Sequence, residues 1–363
     1  MVKKRIAEAK KKFLQERIAL VRSPKIIWDD FRRLGLFKSR TSTCPANLDI
    51  NGLNDYFVSV GSVQSDNAQL LSSYRAEENN HQFKFVEVTP NVVQRNLSCI
   101  TTSVVGPDGF SIRHYKLLLP YSLEPIVNMI NGSLASSQFP NQWKDSWVIP
   151  IPTVCSPQQY RDYRPISILC PLSKVLERCV YEQLISYISL NNLLDPYQTG
   201  FREGMNTQTA LVRLCDDVRA GVDDHLVTIA VFFDFTKAFD CIDHHLLLEK
   251  LKRLNLSAGV SQWFSLYLSG RRQAVKLDDA LSSWNSVKCG VPQGSVLGPL
   301  LYAIFVTELG DLIDCKHLFY ADDLVIYSSC KLNDIDRVAE NLNGTILVIV
   351  TWCCNNLLRL NAT

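Results

Sequence analysis

The sequence has no long apolar run. Its longest uncharged stretch, about Thr345 to Cys354, falls well short of the ~20 residues a bilayer span needs, so no membrane partner is expected. A secretory leader is absent from the N-terminus, where Met1 is followed by VKKRIAEAKKK, far too charged for an apolar leader core. The 12 cysteines lack the C-x2-C or C-x2-C…H-x3-H spacing of a zinc site, Cys353 and Cys354 being merely adjacent. They are also too dilute for a disulfide scaffold and read as reduced thiols. An excess of one charge is missing too, with 38 Lys+Arg against 36 Asp+Glu. Repeats and low-complexity tracts are not found. These absences point to an intracellular protein, in the nucleus, the cytoplasm or both.

What is present can bury a core: 47% of residues are hydrophobic and 20% charged, which excludes wholesale disorder. The length suits two domains, or one large domain with an extension. The neutral average hides an asymmetry, because residues 1–40 hold 13 Lys+Arg and only 4 Asp+Glu. Such a head attracts phosphate polymers by counterion release; a solvated helical face explains it equally well. Residues 1–82 are therefore expected to form a basic helical extension and linker. Residues 83–363 are expected to form the main domain, with its core at about 133–363.

Within the extension, KIIWDDFRRLGLFKSR (25–40) reads as a second amphipathic helix after the basic one, ended by Gly35. Residues 39–82 read as a linker holding a short helix at LNDYFVSV (53–60). Further on, DSWVIPIP (145–152) reads as a strand, which its two prolines place at a sheet edge. YRPISIL (163–169) reads as another strand, and LSKVLERCVYEQLISYI (172–188) as an amphipathic helix. LVTIAVFFDF (226–235) is β-branched and aromatic and reads as a buried strand. LGPLLYAIFVTELGDLI (297–313) is a helix apolar nearly all round. HLFYADDLVIYS (317–328) is two apolar arms around an acidic pair, a hairpin. The class is α+β: a small antiparallel sheet packed on helices.

The chemistry gathers at three carboxylates. Asp234 ends the strand that carries Val231, Phe232 and Phe233, and Asp322 and Asp323 sit at the hairpin tip. Carboxylates held on rigid strand ends can converge where a cation offsets their repulsion. Hard oxygen ligands suit Mg²⁺, with Mn²⁺ as an alternative, and leave room for waters and substrate phosphates. Two such ions ~4 Å apart clamp the attacking and leaving oxygens of an in-line displacement. Each acidic motif alone is ordinary turn chemistry. Between them lies CGVPQGSVLGPLLYAIF, a rigid Gly- and Pro-rich loop leading into a helix, which lets backbone approach a flat ligand.

Taken together, FFDFTKAFDCIDHHLL, GVPQGSVLGPLLY and YADDLVIY resemble, in order and spacing, the polymerase signatures of non-LTR retrotransposon reverse transcriptases, most closely the jockey-like group. RDYRPISILCPLSKVLER, LLDPYQTGFREGMNTQTAL and GPDGFSIRHYK resemble that family's fingers motifs, and IIWDDFRRLG with LNDYF its upstream segment. The resemblance implies the fingers and palm of a right-hand polymerase. It implies an RNA-directed DNA polymerase that moves a nucleotide from a dNTP to the 3′-hydroxyl of a DNA primer on an RNA template. Asp234, Asp322 and Asp323 would be catalytic metal ligands, joined by the main chain at Phe235. Arg164 would reach the incoming triphosphate, and Gln293 and Gly294 would pack on nucleotide and template. Phe239 would be the steric gate against a ribose 2′-hydroxyl.

Other polar residues near these motifs are expected to be structural. Lys174 and Glu177 are read as braces of a fingers helix, His244 and His245 as helix-start residues, and Asp240 as a cap or brace. Asp243 is too close behind Asp234 to be an independent metal site. Three departures from the family stand out. Thr153 occupies the place of an expected lysine, a lysine expected after LNAT is absent, and no thumb follows. A catalytically inactive, truncated remnant that at most binds nucleic acid through its basic head therefore stands as the alternative. An RNA-dependent RNA polymerase is the third reading, and Phe239 argues against it.

Overall fold

A computed structural model describes residues 48–61, 82–119, 121–202 and 204–361. The basic head, the helix expected at 25–40 and most of the 39–82 segment lie outside the described residues. The chain divides into two compact units: residues 1–48 with 152–164, and residues 49–151 with 165–363.

In chain order the described helices are α1 (Ile50–Ser59), α2 (Pro90–Cys99), α3 (Ile112–Leu117), α4 (Leu123–Ser136), α5 (Pro171–Leu190), α6 (Thr207–Asp223), α7 (His244–Lys252), α8 (Ala258–Leu268), α9 (Gly298–Gly310) and α10 (Ile335–Asn355). The strands are β1 (Asp145–Pro152), β2 (Tyr163–Ile168), β3 (Val227–Phe233), β4 (Arg271–Leu277), β5 (Ala280–Leu281), β6 (Asn285–Val287), β7 (Lys316–Tyr320) and β8 (Asp323–Cys330). One sheet runs β2-β1-β4-β5 with β6 also on β4; the other is three-stranded, in the order β3-β8-β7. Both pairings of the three-stranded sheet are antiparallel. The chain is thus α+β, as the sequence pattern indicates.

The smaller sheet separates two apolar layers. On one face Leu324 and Ile326 of β8 join the main core with Phe305 of α9 and Ile349 and Trp352 of α10. The period of two sends Val325 and Tyr327 to the other face, where they pack with Leu318 and with Ala210 of α6. Helix α9 is apolar all round because it is wrapped all round, and Leu300 through Val306 are buried without a gap. Its side chains are the densest contribution to the core, at about 1.5–3 kcal/mol per large apolar group buried.

Two strands depart from expectation. β3 is an edge strand with no buried residue, and Phe232 is 72% exposed. A β-branched and aromatic run packs as well on a half-covered edge as in an interior. β1 lies between β2 and β4 and is not at an edge. Its register with β4 covers Asp145 to Val148, so Pro150 and Pro152 fall beyond that pairing and remove no hydrogen bond from it.

Helix α1 docks against β4 and β6. Asn54, fully buried, donates to Ser283 O at 2.8 Å and accepts from Gln273 Nε2 at 3.1 Å. Asn285 donates to Asp55 at 2.6 Å. In the smaller unit, Thr153 closes a loop by donating from N and from Oγ1 to Asp162 O, both at 2.8 Å.

Candidate active site

The acidic residues meet at one end of the β3-β8-β7 sheet. β3 and β8 pair up to Phe233 with Leu324, and one further step of that register sets Asp234 opposite Asp323. Tyr320 pairs with Asp323 on the other side, leaving Ala321 and Asp322 as a two-residue turn. Asp234 and Asp323 are exposed and Asp322 is half-buried. The Asp323 carboxyl is raised above its usual range, first by burial and then by the charges of Asp322 and Asp234. That mutual repulsion is the signature of carboxylates crowded at one place.

The turn is held from outside. Ala321 has φ 56°, a conformation that costs a residue with a Cβ. The segment Tyr197–Gly200 runs along β7: Phe319 N donates to Tyr197 O at 3.0 Å, and Thr199 N donates to Phe319 O at 2.9 Å. Gly200 ends against the Ala321 main chain so closely that a Cβ there would collide with it. The YQTG stretch, expected as a fingers motif, thus acts as a strut beneath the acidic tip.

Asp234 is held by a segment the sequence reading passed over. Asn361 donates from its backbone N to Asp234 O at 2.8 Å and from Nδ2 to Asp234 Oδ2 at 2.9 Å. Thr236 N donates to Arg359 O at 2.8 Å, and Phe235 faces Leu360 across this short antiparallel bridge. The Phe235 side chain is buried.

Phe239 lies beside the acidic end through Tyr302. The two rings are 4.7 Å apart and tilted by 34°, with Phe201 edge-on to Phe239 at 5.9 Å. The Tyr302 hydroxyl is raised well above its usual range by burial and then by Asp322.

The glycine-rich loop runs alongside the segment that follows Asp234. Val291 N donates to Phe239 O at 2.9 Å and Gly290 N to Ile242 O at 2.7 Å. His244, first in α7, lies 2.7 Å through Nε2 from Gly290 O, which is a structural role as expected. Asp240 accepts both available bonds from Gln293 Nε2, at 2.8 and 2.9 Å, and so braces this loop. Gln293 O in turn accepts from Ser167 N at 2.7 Å. Gly294 has φ 116°, and a Cβ there would stand 2.8 Å from Ser167 O. The loop therefore needs glycine for its backbone shape and for close approach.

Glu177 turns out to act on the same loop. It is fully buried, and its carboxylate accepts from Val296 N at 2.8 Å, Leu297 N at 3.2 Å, Tyr267 Oη at 3.3 Å and Ser173 Oγ at 3.0 Å. The helix it braces is therefore α9 as well as its own α5. A charged residue on the apolar face of an amphipathic helix was the available signal. Burial lowers the Lys174 ammonium and the nearby Glu177 opposes that shift.

The structure thus brings together Asp234, Phe235, Phe239, Asp322 and Asp323, with Gln293 tied to Asp240 and Gly294 set against Ser167. Arg164 is exposed and belongs to the smaller unit. Among the described residues, no three His, Cys, Asp or Glu side chains form a ready-made metal cluster. The donors nonetheless fit a hard divalent cation, because the strand register sets Asp234 opposite Asp323 and the Asp323 carboxyl is raised by burial and then by two neighbouring carboxylates, whose charge such an ion would offset. Mg²⁺ in particular takes one or two carboxylates and completes its shell with water and phosphate.

A profile of the reverse transcriptase (RNA-dependent DNA polymerase) family matches residues 156–363. The chain belongs to the reverse transcriptase family. Three of its relatives come from mobile elements of Drosophila melanogaster. The chain is 33% identical over 245 residues to the probable RNA-directed DNA polymerase from transposon BS, covering 64% of this chain and 26% of that one. It is 29% identical over 266 residues to the RNA-directed DNA polymerase from mobile element jockey, covering 71% and 29%. It is 31% identical over 252 residues to the probable enzyme from transposon X-element, covering 69% and 27%. This reverse transcriptase chain therefore spans between a quarter and three-tenths of the length of these relatives. Among its described residues no helix is long and apolar enough to cross a membrane.

Proposed function

We propose that this reverse transcriptase chain carries the nucleotidyl-transfer centre of an RNA-directed DNA polymerase from a non-LTR retrotransposon. The observation that carries the reading is the strand register that sets Asp234 opposite Asp323 beside the Ala321–Asp322 turn, where the Asp323 carboxyl is raised by burial and then by Asp322 and Asp234. In this reading the β3-β8-β7 sheet is the palm, residues 83–363 are the polymerase domain and residues 1–82 its basic extension. The three carboxylates and the Phe235 main chain would hold divalent cations, Mg²⁺ or Mn²⁺, which supply charge neutralisation for in-line displacement.

The residues then have distinct tasks. Gln293 and Gly294 form a flat floor for the incoming dNTP, with Asp240 and Ser167 fixing its position. Phe239, backed by Tyr302, closes the space beneath the sugar and selects against a 2′-hydroxyl. The RNA template and DNA primer are held by the surrounding surface.

Thr153 favours a second reading, the silent remnant that only binds nucleic acid. It stands where the family resemblance leads one to expect a lysine, and its hydroxyl donates to Asp162 O. Metal-dependent dNTP incorporation on a primed RNA template separates the two readings, with the double variant Asp322→Ala, Asp323→Ala as control. Incorporation that the double variant abolishes supports the enzyme. None, from folded protein that binds the duplex, leaves the remnant.

A further inference from the structure

We propose that Asn361 is a positioning residue that fixes the rotamer of Asp234 for metal binding; this rests on the reading of Asp234 as a metal ligand. β3 is the edge of its sheet, and Asp234 lies just past its last residue, so β8 alone does not restrain the carboxylate. The free edge is closed by residues 359–361. Two main-chain bonds flank Phe235, from Thr236 N to Arg359 O and from Asn361 N to Asp234 O, each 2.8 Å. The side chain of Asn361 adds a third bond, to Asp234 Oδ2 at 2.9 Å.

The path that delivers Asn361 is built, not incidental. Helix α10 ends at Asn355, and Asn356 folds back on it, donating from N and Nδ2 to Trp352 O, both at 2.9 Å. Leu357 takes φ 58°, which reverses the chain. Leu358 is then buried and donates from N to Cys353 O at 3.0 Å, and Leu360 packs against the core. The apolar anchors at 358 and 360 alternate with Arg359 and Asn361, so strand periodicity sets the amide on the face of the carboxylate.

An amide is suited to this task. It engages one carboxylate oxygen and fixes the side chain without bringing a positive charge that would compete with a cation. A lysine in its place would neutralise the ligand. Partners of this kind, standing behind a metal ligand, set its orientation, and losing one typically weakens metal affinity about 10-fold or more.

The test reads metal binding directly. Mn²⁺ affinity of the full chain is measured by electron paramagnetic resonance without nucleotide or primer. The variants are Asn361→Ala, Asp234→Ala and the double substitution, each checked for an unchanged thermal midpoint. Asn361→Ala is expected to weaken Mn²⁺ binding about 10-fold and to cost nothing further once Asp234 is already alanine. A merely structural asparagine would lower affinity equally in both backgrounds. Unchanged affinity in Asn361→Ala, or an equal loss in both backgrounds, overturns this role alone. Absence of Mn²⁺ binding by the folded parent chain overturns it together with the metal-ligand reading of Asp234.

Discussion

Glu177 and Val296 are 119 residues apart in sequence, yet the Glu177 carboxylate accepts from Val296 N at 2.8 Å inside the core. A buried carboxylate is costly unless its lone pairs are filled. Here it meets the amides of Val296 and Leu297, the two residues leading into α9, where the N-terminal end of the helix dipole favours an anion. The bond fixes the end of the loop whose other end Ser167 and Asp240 hold.

Removing that carboxylate strands Val296 N, Leu297 N and the Tyr267 hydroxyl without their acceptor. Glu177→Ala is therefore expected to cost about 3 kcal/mol or more. Glu177→Gln keeps an acceptor of the same size and should cost less than half as much. Urea unfolding of the two variants beside the parent checks this. A Glu177→Ala midpoint equal to that of the parent would sink the assignment.

Gly200 offers a sharper test of the acidic tip. Its backbone lies against Ala321, which already sits at a positive φ. A methyl group there must push the turn that carries Asp322. Gly200→Ala should lower the melting temperature by only a few degrees, because the clash is confined to the two-residue Ala321–Asp322 turn. Incorporation should nonetheless fall by more than about 10-fold, since catalytic geometry tolerates ~1 Å poorly. Full activity would show that the strut does not set the carboxylates.

How much of this was legible in the sequence depends on the range of each interaction. The hairpin around Asp322 and Asp323 and the all-round apolar α9 announce themselves through local periodicity, and the structure has both. The buried-strand reading of β3 failed because β-branched runs look alike at an edge and in an interior. β1 was misplaced because proline was taken to forbid an interior position, whereas its paired stretch ends at Val148, before the first proline. Asn361 and Asp234 are 127 residues apart, and no periodicity links an asparagine in LRLNAT to a strand end so far upstream. The main-chain role of Gly200 was hidden for the same reason.

Phe239 carries two effects that one substitution separates. Its ring packs on Tyr302 and Phe201, so Phe239→Ala should cost about 3 kcal/mol through the cavity it leaves. If it also lies beneath the sugar, the same change should raise use of NTPs relative to dNTPs by about 10-fold or more, since the excluded volume is what rejects the hydroxyl. Competition between dNTP and NTP on one primed RNA template gives the ratio independently of how much protein stays folded. A lower activity with an unchanged ratio would leave Phe239 a core residue only.

The buried thiols predict the alkaline limb of stability. Burial raises Cys170 and Cys353 from about 9 to about 12, and Cys179 and Cys241 to about 11. Their folded values lie above the unfolded ones, so their contribution is complete below pH 9 and is lost as pH rises toward 11–12. Lys250 works in the opposite direction. Burial lowers it from 10.5 to about 8 despite Glu308 beside it, so the folded state releases that proton first and stability gains between pH 8 and 10.5. Four thiols outweigh one ammonium, and the unfolding free energy from urea titration should fall between pH 9 and pH 10 by on the order of 1 kcal/mol per thiol before the Lys250 offset, lowering the urea midpoint with it. Cys353→Ala should make the fall shallower, whereas Lys250→Met should make it steeper. A midpoint that holds steady or climbs over that interval would show that the thiols do not govern the limb.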